Sequence, residues 1–206
     1  MFYRLARRCF LILSGPLFRF RVSGRHHIPD RGPAIVVAPH RSWLDPACVG
    51  AACPRPVRFL ILWDIYQNPW VRWFYRALGT LPVAPGGYSA LSSLREALRA
   101  LGRGEVVGVF PEGRVSTLER PAPIHSGAAM LASHSGAPII PMQIAGSSRA
   151  WPHGRRWPSP APVSVSIEPP IRVHEAGRRR AREELARDVE RLLCVPGGAP
   201  VDPGCR

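Results

Sequence analysis

A histidine and an aspartate separated by four residues, His40 and Asp45, come directly after the apolar run of residues 34–38. Histidine is the side chain that most readily exchanges a proton near neutral pH. A carboxylate bonded to its second ring nitrogen fixes the tautomer and stabilises the imidazolium that forms. The residue types and their spacing therefore suit a general base with its orienting acid.

Asp45 also has a structural alternative. Pro46 follows it, and Asp-Pro is typical of a helix N-cap with proline at the first helical position. With seven histidines and five aspartates in 206 residues, the His-x4-Asp spacing also arises by chance too often to decide alone. The aspartate is either a catalytic acid or a helix cap, and one carboxylate can serve as both.

A second polar group, residues 110–114 with the sequence FPEGR, follows the apolar run 106–110 in the same way. Arg114 offers a planar fork of donors to a phosphate, and Gly113 lets a backbone N–H approach a phosphate oxygen. A plain turn with an exposed ion pair is the structural alternative. If the two apolar runs form adjacent parallel strands, both polar groups line one cleft at the carboxyl edge of the sheet.

The elements that must position these loops alternate short apolar runs with helix-like segments, which is typical of an α/β architecture. The predicted strands are residues 34–38, 58–62, 106–110, 138–144 and 163–167. The predicted helices are residues 46–53, 68–79, 89–104, 125–136 and 176–193. We therefore expect an α/β fold with a single layer of mostly parallel or mixed sheet flanked by helices.

Two segments combine apolar residues with arginines. Residues 1–20 place apolar side chains at helical spacing, which predicts either a helix lying in the interface of an anionic membrane or an ordinary helix docked on the core. The helix 68–79 interleaves tryptophans with arginines and leaves the same two alternatives. No apolar stretch approaches the ~20 residues that cross a bilayer.

The charge is strongly positive, with 28 arginines against 14 acidic residues and a net charge of +14. An anionic partner is expected: nucleic acid, an acidic membrane surface or a phosphorylated substrate. A nucleic-acid-binding module is the main alternative class, but the arginines are spread along the chain rather than gathered on one helix. The five cysteines show no zinc spacing, and a metal-dependent hydrolase built on His26, His27, His40 and Asp45 lacks the usual ligand spacing.

Taken together, the two motifs resemble those of the glycerolipid acyltransferases of phospholipid synthesis. The first motif of that family is His-x4-Asp, here His40 to Asp45, and another is Phe-Pro-Glu-Gly followed by Arg-x-Ser/Thr, here residues 110–116. An apolar motif around Val/Ile-Pro resembles Ile140-Pro141. The resemblance implies the glycerolipid acyltransferase fold for a domain at 21–194. The pattern of residues 1–20 predicts a membrane-contacting segment, and the Pro/Gly-rich residues 195–206 predict a disordered tail.

By this resemblance His40 is the general base, Asp45 orients it, and the acceptor is bound by Glu112, Gly113, Arg114 and Ser116. The acyl group passes from acyl-CoA or acyl-carrier protein to the free hydroxyl of 1-acyl-sn-glycerol-3-phosphate, without a further cofactor or a metal. A peripheral or monotopic enzyme on the cytoplasmic face of the cell membrane is implied, in contact with the anionic lipid surface and with no nucleic-acid partner.

The sequence departs from the family pattern where a phosphate would be held. Pro85 stands where the second motif often ends in arginine, and no lysine precedes Gly127. In this respect, and in the variant FPEGRVS, the chain is similar to the acyltransferase part of enzymes that reacylate 2-acylglycerophosphoethanolamine. Acylation of lysophosphatidylethanolamine is therefore the alternative function.

Overall fold

The computed structural model describes residues 2–83, 87–112, 127–152 and 154–172, without the side chains of residues 87–91. Within these ranges the strands are β1 Arg21–Ser23, β2 Ala34–Val37, β3 Val57–Leu62, β4 Leu81–Val83, β5 Val106–Val109, β6 Ile139–Ala145 and β7 Ser164–Ile167. The helices are α1 Phe2–Phe18, α2 Asp45–Ala52, α3 Trp63–Tyr66, α4 Pro69–Leu78, α5 Gly87–Gly102, α6 Gly127–Ser135 and α7 Ser147–Ala150.

The five strands predicted from the sequence are confirmed, as are the predicted helices that became α2, α4, α5 and α6. Sequence patterns missed the short elements β1, β4, α3 and α7. The predicted helix 176–193 and the predicted tail 195–206 lie outside the described residues.

All seven strands form one mixed sheet in the order β1-β7-β6-β2-β5-β3-β4. Every neighbouring pair is parallel except β6 and β7. Strand β2 therefore lies between two parallel neighbours, β5 and β6, and the carboxyl ends of all three strands lie at the same edge. This arrangement confirms that the two polar loops following β2 and β5 start side by side.

Helices cover both faces of the sheet and create two cores. On one face Ala34 and Val36 of β2 pack among buried residues of α1 and α2. On the other face Ile35 and Val37 pack among buried residues of α5 and α6. Because β2 is buried on both sides, its sequence reads as a continuous apolar run rather than an alternating one.

Helix α1 is fixed to the core by polar contacts from one of its faces. The Tyr3 hydroxyl donates to the carbonyl of Gly50 at 3.4 Å and accepts the N–H of Val57 at 3.1 Å. Arg7 donates to the carbonyl of Ala51 at 3.0 Å. Burial raises the pKa of Tyr3 to about 12, so the phenol stays neutral.

The opposite face of α1 is exposed, including Leu5, Ile12 and Leu13. One face of α1 therefore docks on the core, and the other leaves apolar side chains exposed. None of the helices in the described ranges is long and apolar enough to cross a membrane.

Gly108 in β5 creates the space for an aromatic side chain from the neighbouring strand. A methyl group added at this glycine would lie 2.6 Å from Cδ1 of Phe59 and 2.7 Å from Cγ1 of Val57. These separations are far below van der Waals contact, and both neighbours belong to the adjacent strand β3. A side chain at this position would therefore displace Phe59.

We expect Gly108→Ala to lower the free energy of unfolding by about 1–3 kcal/mol, because overpacking outweighs the reduced entropy of the unfolded chain. Gly102→Ala is the matched control: a methyl group there meets no atom within 4 Å, so stability should hold or rise. Chemical denaturation of both variants measures the difference. Equal midpoints would show that β3 accommodates the methyl group freely.

Candidate active site

Asp45 is the first residue of α2, and its carboxylate turns back toward the preceding loop. Its Oδ2 accepts the backbone N–H of Arg41 at 2.6 Å and that of Ser42 at 2.7 Å. The helix-cap interpretation of Asp45 is wrong, because Leu44 occupies the N-cap position and no side chain caps the helix. Asp-Pro does mark the start of the helix, but the carboxylate folds the loop that carries His40.

His40 lies against this carboxylate. Its Nδ1 is 3.4 Å from Oδ2 of Asp45, a long contact of the kind common in unliganded sites. The Asp45 side chain is 1% exposed and that of His40 is 14% exposed. The structure therefore brings together the two residues predicted as base and orienting acid, with the acid buried and the base within reach of solvent.

The second carboxylate oxygen of Asp45, Oδ1, is buried and accepts no hydrogen bond from the described residues. A buried carboxylate with an unsatisfied oxygen is costly in a medium of low polarity. Positive charge on the neighbouring imidazole reduces that cost. The carboxylate is thus placed where it would stabilise an imidazolium formed during a reaction.

Glu112 connects the second polar loop to the first. Its Oε2 accepts the backbone N–H of His40 at 2.7 Å, across the boundary between β5 and β2. The expectation that both loops meet at one site is confirmed by this contact. The contact also assigns Glu112 a positioning contribution that the sequence did not reveal. Gly113, Arg114, Ser116 and Pro85 lie outside the described residues.

Aromatic rings hold the imidazole from one side. The ring of Phe110 stacks on His40 with centroids 4.4 Å apart, and Phe59 stacks on Phe110 at 5.7 Å. Phe59 occupies the space that Gly108 leaves open. The sequence signal for this stack was present but indirect: an aromatic residue at the end of a strand that also contains a glycine.

Ser42 and the nearby cysteines are held in structural roles. The Ser42 hydroxyl is buried, donates to the carbonyl of Trp151 at 2.7 Å and accepts the N–H of Leu44. Burial, and then the charge of Asp45, raise the pKa of the Cys48 thiol, and burial raises the pKa of Cys53. These thiols stay protonated and are poor nucleophiles. Nowhere in the described ranges do three or more potential metal ligands cluster.

A family model described as Acyltransferase matches residues 19–145, more than half of the chain. The chain belongs to the acyltransferase family. Both polar loops and the strands that carry them fall within the matched residues. The enzyme is therefore an O-acyltransferase with an α/β fold, as the two motifs suggested.

The chain is similar to acyltransferases that are named for lysolipid acceptors. It is 24% identical over 176 residues to the 1-acyl-sn-glycerol-3-phosphate acyltransferase of Bacillus subtilis, covering 84% of this chain and 83% of that one. It is 33% identical over 141 residues to the lyso-ornithine lipid O-acyltransferase of Pseudomonas aeruginosa, covering 68% and 51%. The chain spans only 41% of the chloroplastic 1-acyl-sn-glycerol-3-phosphate acyltransferase BAT2 of Brassica napus.

A solved structure shares the fold. The acyltransferase aligns with the crystal structure of the 1-acyl-sn-glycerophosphate acyltransferase PlsC from Thermotoga maritima with a TM-score of 0.69 and 26% identity. The alignment covers 93% of this chain and 78% of the other. The fold expected from the motif resemblance is thereby confirmed.

Asp45→Asn removes the charge facing His40 but keeps an oxygen for the two backbone N–H groups. We expect kcat for acyl transfer to fall roughly 10³- to 10⁴-fold, as for the equivalent change in a hydrolase triad, while the protein remains folded. Turnover assays with thermal melts measure both effects. Asp64→Asn, at an exposed aspartate of α3, is the control and should retain activity. Full activity in Asp45→Asn would reduce Asp45 to a loop-folding residue.

Proposed function

We propose that this acyltransferase moves a fatty acyl group from an acyl thioester to the free glycerol hydroxyl of 1-acyl-sn-glycerol-3-phosphate, with His40 as general base. The observation that carries the proposal is the placement of His40 against Asp45, with its backbone N–H bound by Glu112. The activities for which the Bacillus subtilis relative and the Thermotoga maritima protein are named support the choice of acceptor.

The proposed reaction needs one proton shuttle and no covalent enzyme intermediate. Nε2 of His40 removes the proton of the acceptor hydroxyl while the oxygen of that hydroxyl attacks the thioester carbonyl. The tetrahedral intermediate collapses, the C–S bond breaks, and the leaving thiolate takes the proton back from the imidazolium. An ester and a free thiol result. Asp45 stabilises the imidazolium throughout, and Phe110 keeps the ring plane fixed.

Acceptor binding is proposed for the second loop. Arg114 pairs the acceptor phosphate, Gly113 supplies a backbone N–H and Ser116 adds a hydroxyl, with Glu112 anchoring the loop to His40. Acyl-CoA and acyl-carrier protein are the two donor classes, and the reaction requires no further cofactor.

The second candidate acceptor is a lysolipid that lacks the phosphate monoester of lysophosphatidic acid, such as lysophosphatidylethanolamine or a lyso-ornithine lipid. Two observations favour it: Pro85 replaces an arginine that the family pattern often carries, and a relative that is 33% identical is named for a lyso-ornithine lipid. Lysophosphatidylethanolamine belongs with this candidate because its headgroup is a phosphodiester bearing an amine. The same base and the same donor serve both candidates.

We also propose that α1 and α4 together contact an anionic lipid surface at the cytoplasmic face of the cell membrane. Trp70 is 85% exposed and Trp73 is 63% exposed on α4, and no residue of that helix is buried. The ring of Phe2 in α1 contacts Trp73 at 6.1 Å, so the two helices form one surface. Exposed tryptophans beside arginines suit the headgroup region of a bilayer.

His40→Ala should lower turnover by roughly three orders of magnitude or more, because the base is lost. The assay panel offers acyl-CoA and acyl-carrier protein as donors. Lysophosphatidic acid, lysophosphatidylethanolamine and lyso-ornithine lipid serve as acceptors. His134→Ala, at an exposed histidine of α6, is the matched control. Near-normal turnover in His40→Ala would exclude the proposed mechanism, and the preferred acceptor of the wild type decides between the two candidates.

Trp70→Ser should weaken binding to vesicles of mixed phosphatidylglycerol and phosphatidylethanolamine by about tenfold, because a large interfacial side chain is removed. Trp157→Ser is the control, since Trp157 is 71% exposed but lies outside α1 and α4. Co-sedimentation with the vesicles measures both variants. An equal effect of the two substitutions would show that this surface is not the contact.

A further inference from the structure

A cavity of about 450 Å³ with three arginines in its wall opens on the described surface. The arginines are Arg19, after α1, Arg21 in β1 and Arg149 in α7. The rest of the cavity wall includes Ser164 and the backbone around Gly146 and Pro162. Gly146 has a φ of +85°, and a methyl group there would collide with the carbonyl oxygen of Pro162, so this part of the wall is closely packed backbone.

The three guanidinium groups make no ion pair with the described residues, where the arginine ion pairs are those of Arg58 and Arg103 with Glu105. Among the described residues, no acidic side chain lines the cavity. All three arginines are exposed, and an anion bound among them would reduce their mutual repulsion. Guanidinium forks are matched in shape to phosphate oxygens.

Arg19 occupies a backbone conformation that an arginine does not favour. Its φ is +43°, and its N–H bonds to the carbonyl of Gly15 at 3.1 Å, so it ends α1 in the left-handed region. Glycine is the usual residue at such a helix end because it has no side chain to strain the backbone. A charged side chain at a position that suits glycine indicates that the guanidinium itself has a use.

The cavity lies at the same edge of the sheet as His40. Val37 of β2 pairs with Pro141 of β6, so Ala145 at the end of β6 reaches the level of the loop after β2. Ala145 pairs with Ser164, and Ser164 pairs with Arg21, which continues the row along this edge. Arg21 is three strands from β2, roughly 14 Å at a strand spacing of about 4.8 Å.

The cavity and Glu112 lie on opposite sides of β2, which carries His40 beyond its end. Glu112 approaches His40 from β5, whereas α7 approaches from β6, where the carbonyl of Trp151 accepts the Ser42 hydroxyl at 2.7 Å. Two phosphate-bearing substrates that meet at one base need separate places for their phosphates. With the acceptor on the β5 side, the β6 side remains for the donor.

We propose that Arg19, Arg21 and Arg149 bind the phosphate groups of acyl-coenzyme A. This inference rests on the proposed function. Coenzyme A carries a diphosphate and a 3′-phosphate, separated from the thioester by a long, flexible pantetheine chain. Three arginines match this charge better than the single phosphodiester that links pantetheine to a carrier protein. The pantetheine chain reaches from the cavity to His40, and the thioester then lies beside that base.

The test compares Arg21→Ala, Arg149→Ala and Arg19→Gly with Arg99→Ala, which removes an exposed arginine of α5 as the control. We expect KM for acyl-CoA to rise roughly five- to fiftyfold in the three cavity variants, with kcat near the wild-type value. KM for the lysolipid should not change. Turnover of acyl-pantetheine, which has no phosphate, should be equal in all variants. Arg19→Gly should also melt at the wild-type temperature or above it.

Three results would overturn the proposal. A rise in KM for the lysolipid alone would assign the cavity to a lipid phosphate, and a rise in KM for acyl-carrier protein alone would assign it to that protein. Effects no larger than that of Arg99→Ala would leave the cavity without a role in binding. Calorimetric titration with free coenzyme A measures binding independently of acyl transfer. If the wild type binds coenzyme A and the cavity variants do not, the binding site is supported even if no acyl transfer is found.

Discussion

The site is organised around one buried carboxylate oxygen. Oδ2 of Asp45 accepts two short hydrogen bonds from the backbone of the loop after β2 and lies opposite the imidazole of His40. Charge-assisted bonds of this kind are stronger than neutral ones, especially away from water. The same oxygen thus determines where the loop folds and where the ring lies.

Contacts from the neighbouring strands hold His40 in this position. Glu112 fixes the backbone of His40 from the neighbouring strand, and the stack of Phe59 on Phe110 fixes its ring plane. Gly108 is needed for the stack because any side chain there would occupy the space of Phe59. A glycine in the middle of a buried strand lowers strand propensity, and here that loss is offset by the aromatic packing it permits.

Much of the sheet is predictable because the central strands β2, β5 and β6 are apolar runs bounded by turn residues. The missed elements β1, β4, α3 and α7 have three or four residues each, too few for a periodic pattern to appear. The type and spacing of His40 and Asp45 suggest a catalytic pair, and the second motif with the family resemblance is what selects that interpretation. The direction of the Asp45 carboxylate was not predictable, because it depends on the backbone N–H groups that the folded loop presents.

The amphipathic helices show the same limit. For α1 the sequence allowed both docking and membrane contact, and the structure divides these between two faces: Tyr3 and Arg7 point toward α2 whereas Leu5 is exposed. Core packing of the α4 tryptophans was equally plausible from the sequence, yet Trp70 is almost fully exposed. Periodicity locates an apolar stripe, but only the neighbouring elements determine whether protein covers it.

The central position of β2 gives the loop that carries His40 a stable point of attachment. Strand β2 is hydrogen-bonded on both sides and covered by a core on each face, so its amides exchange with solvent only when the whole domain opens. The residues that follow β2 are attached to this stable strand at one end. The loop that carries His40 and Asp45 is therefore attached to the part of the molecule that we expect to open last.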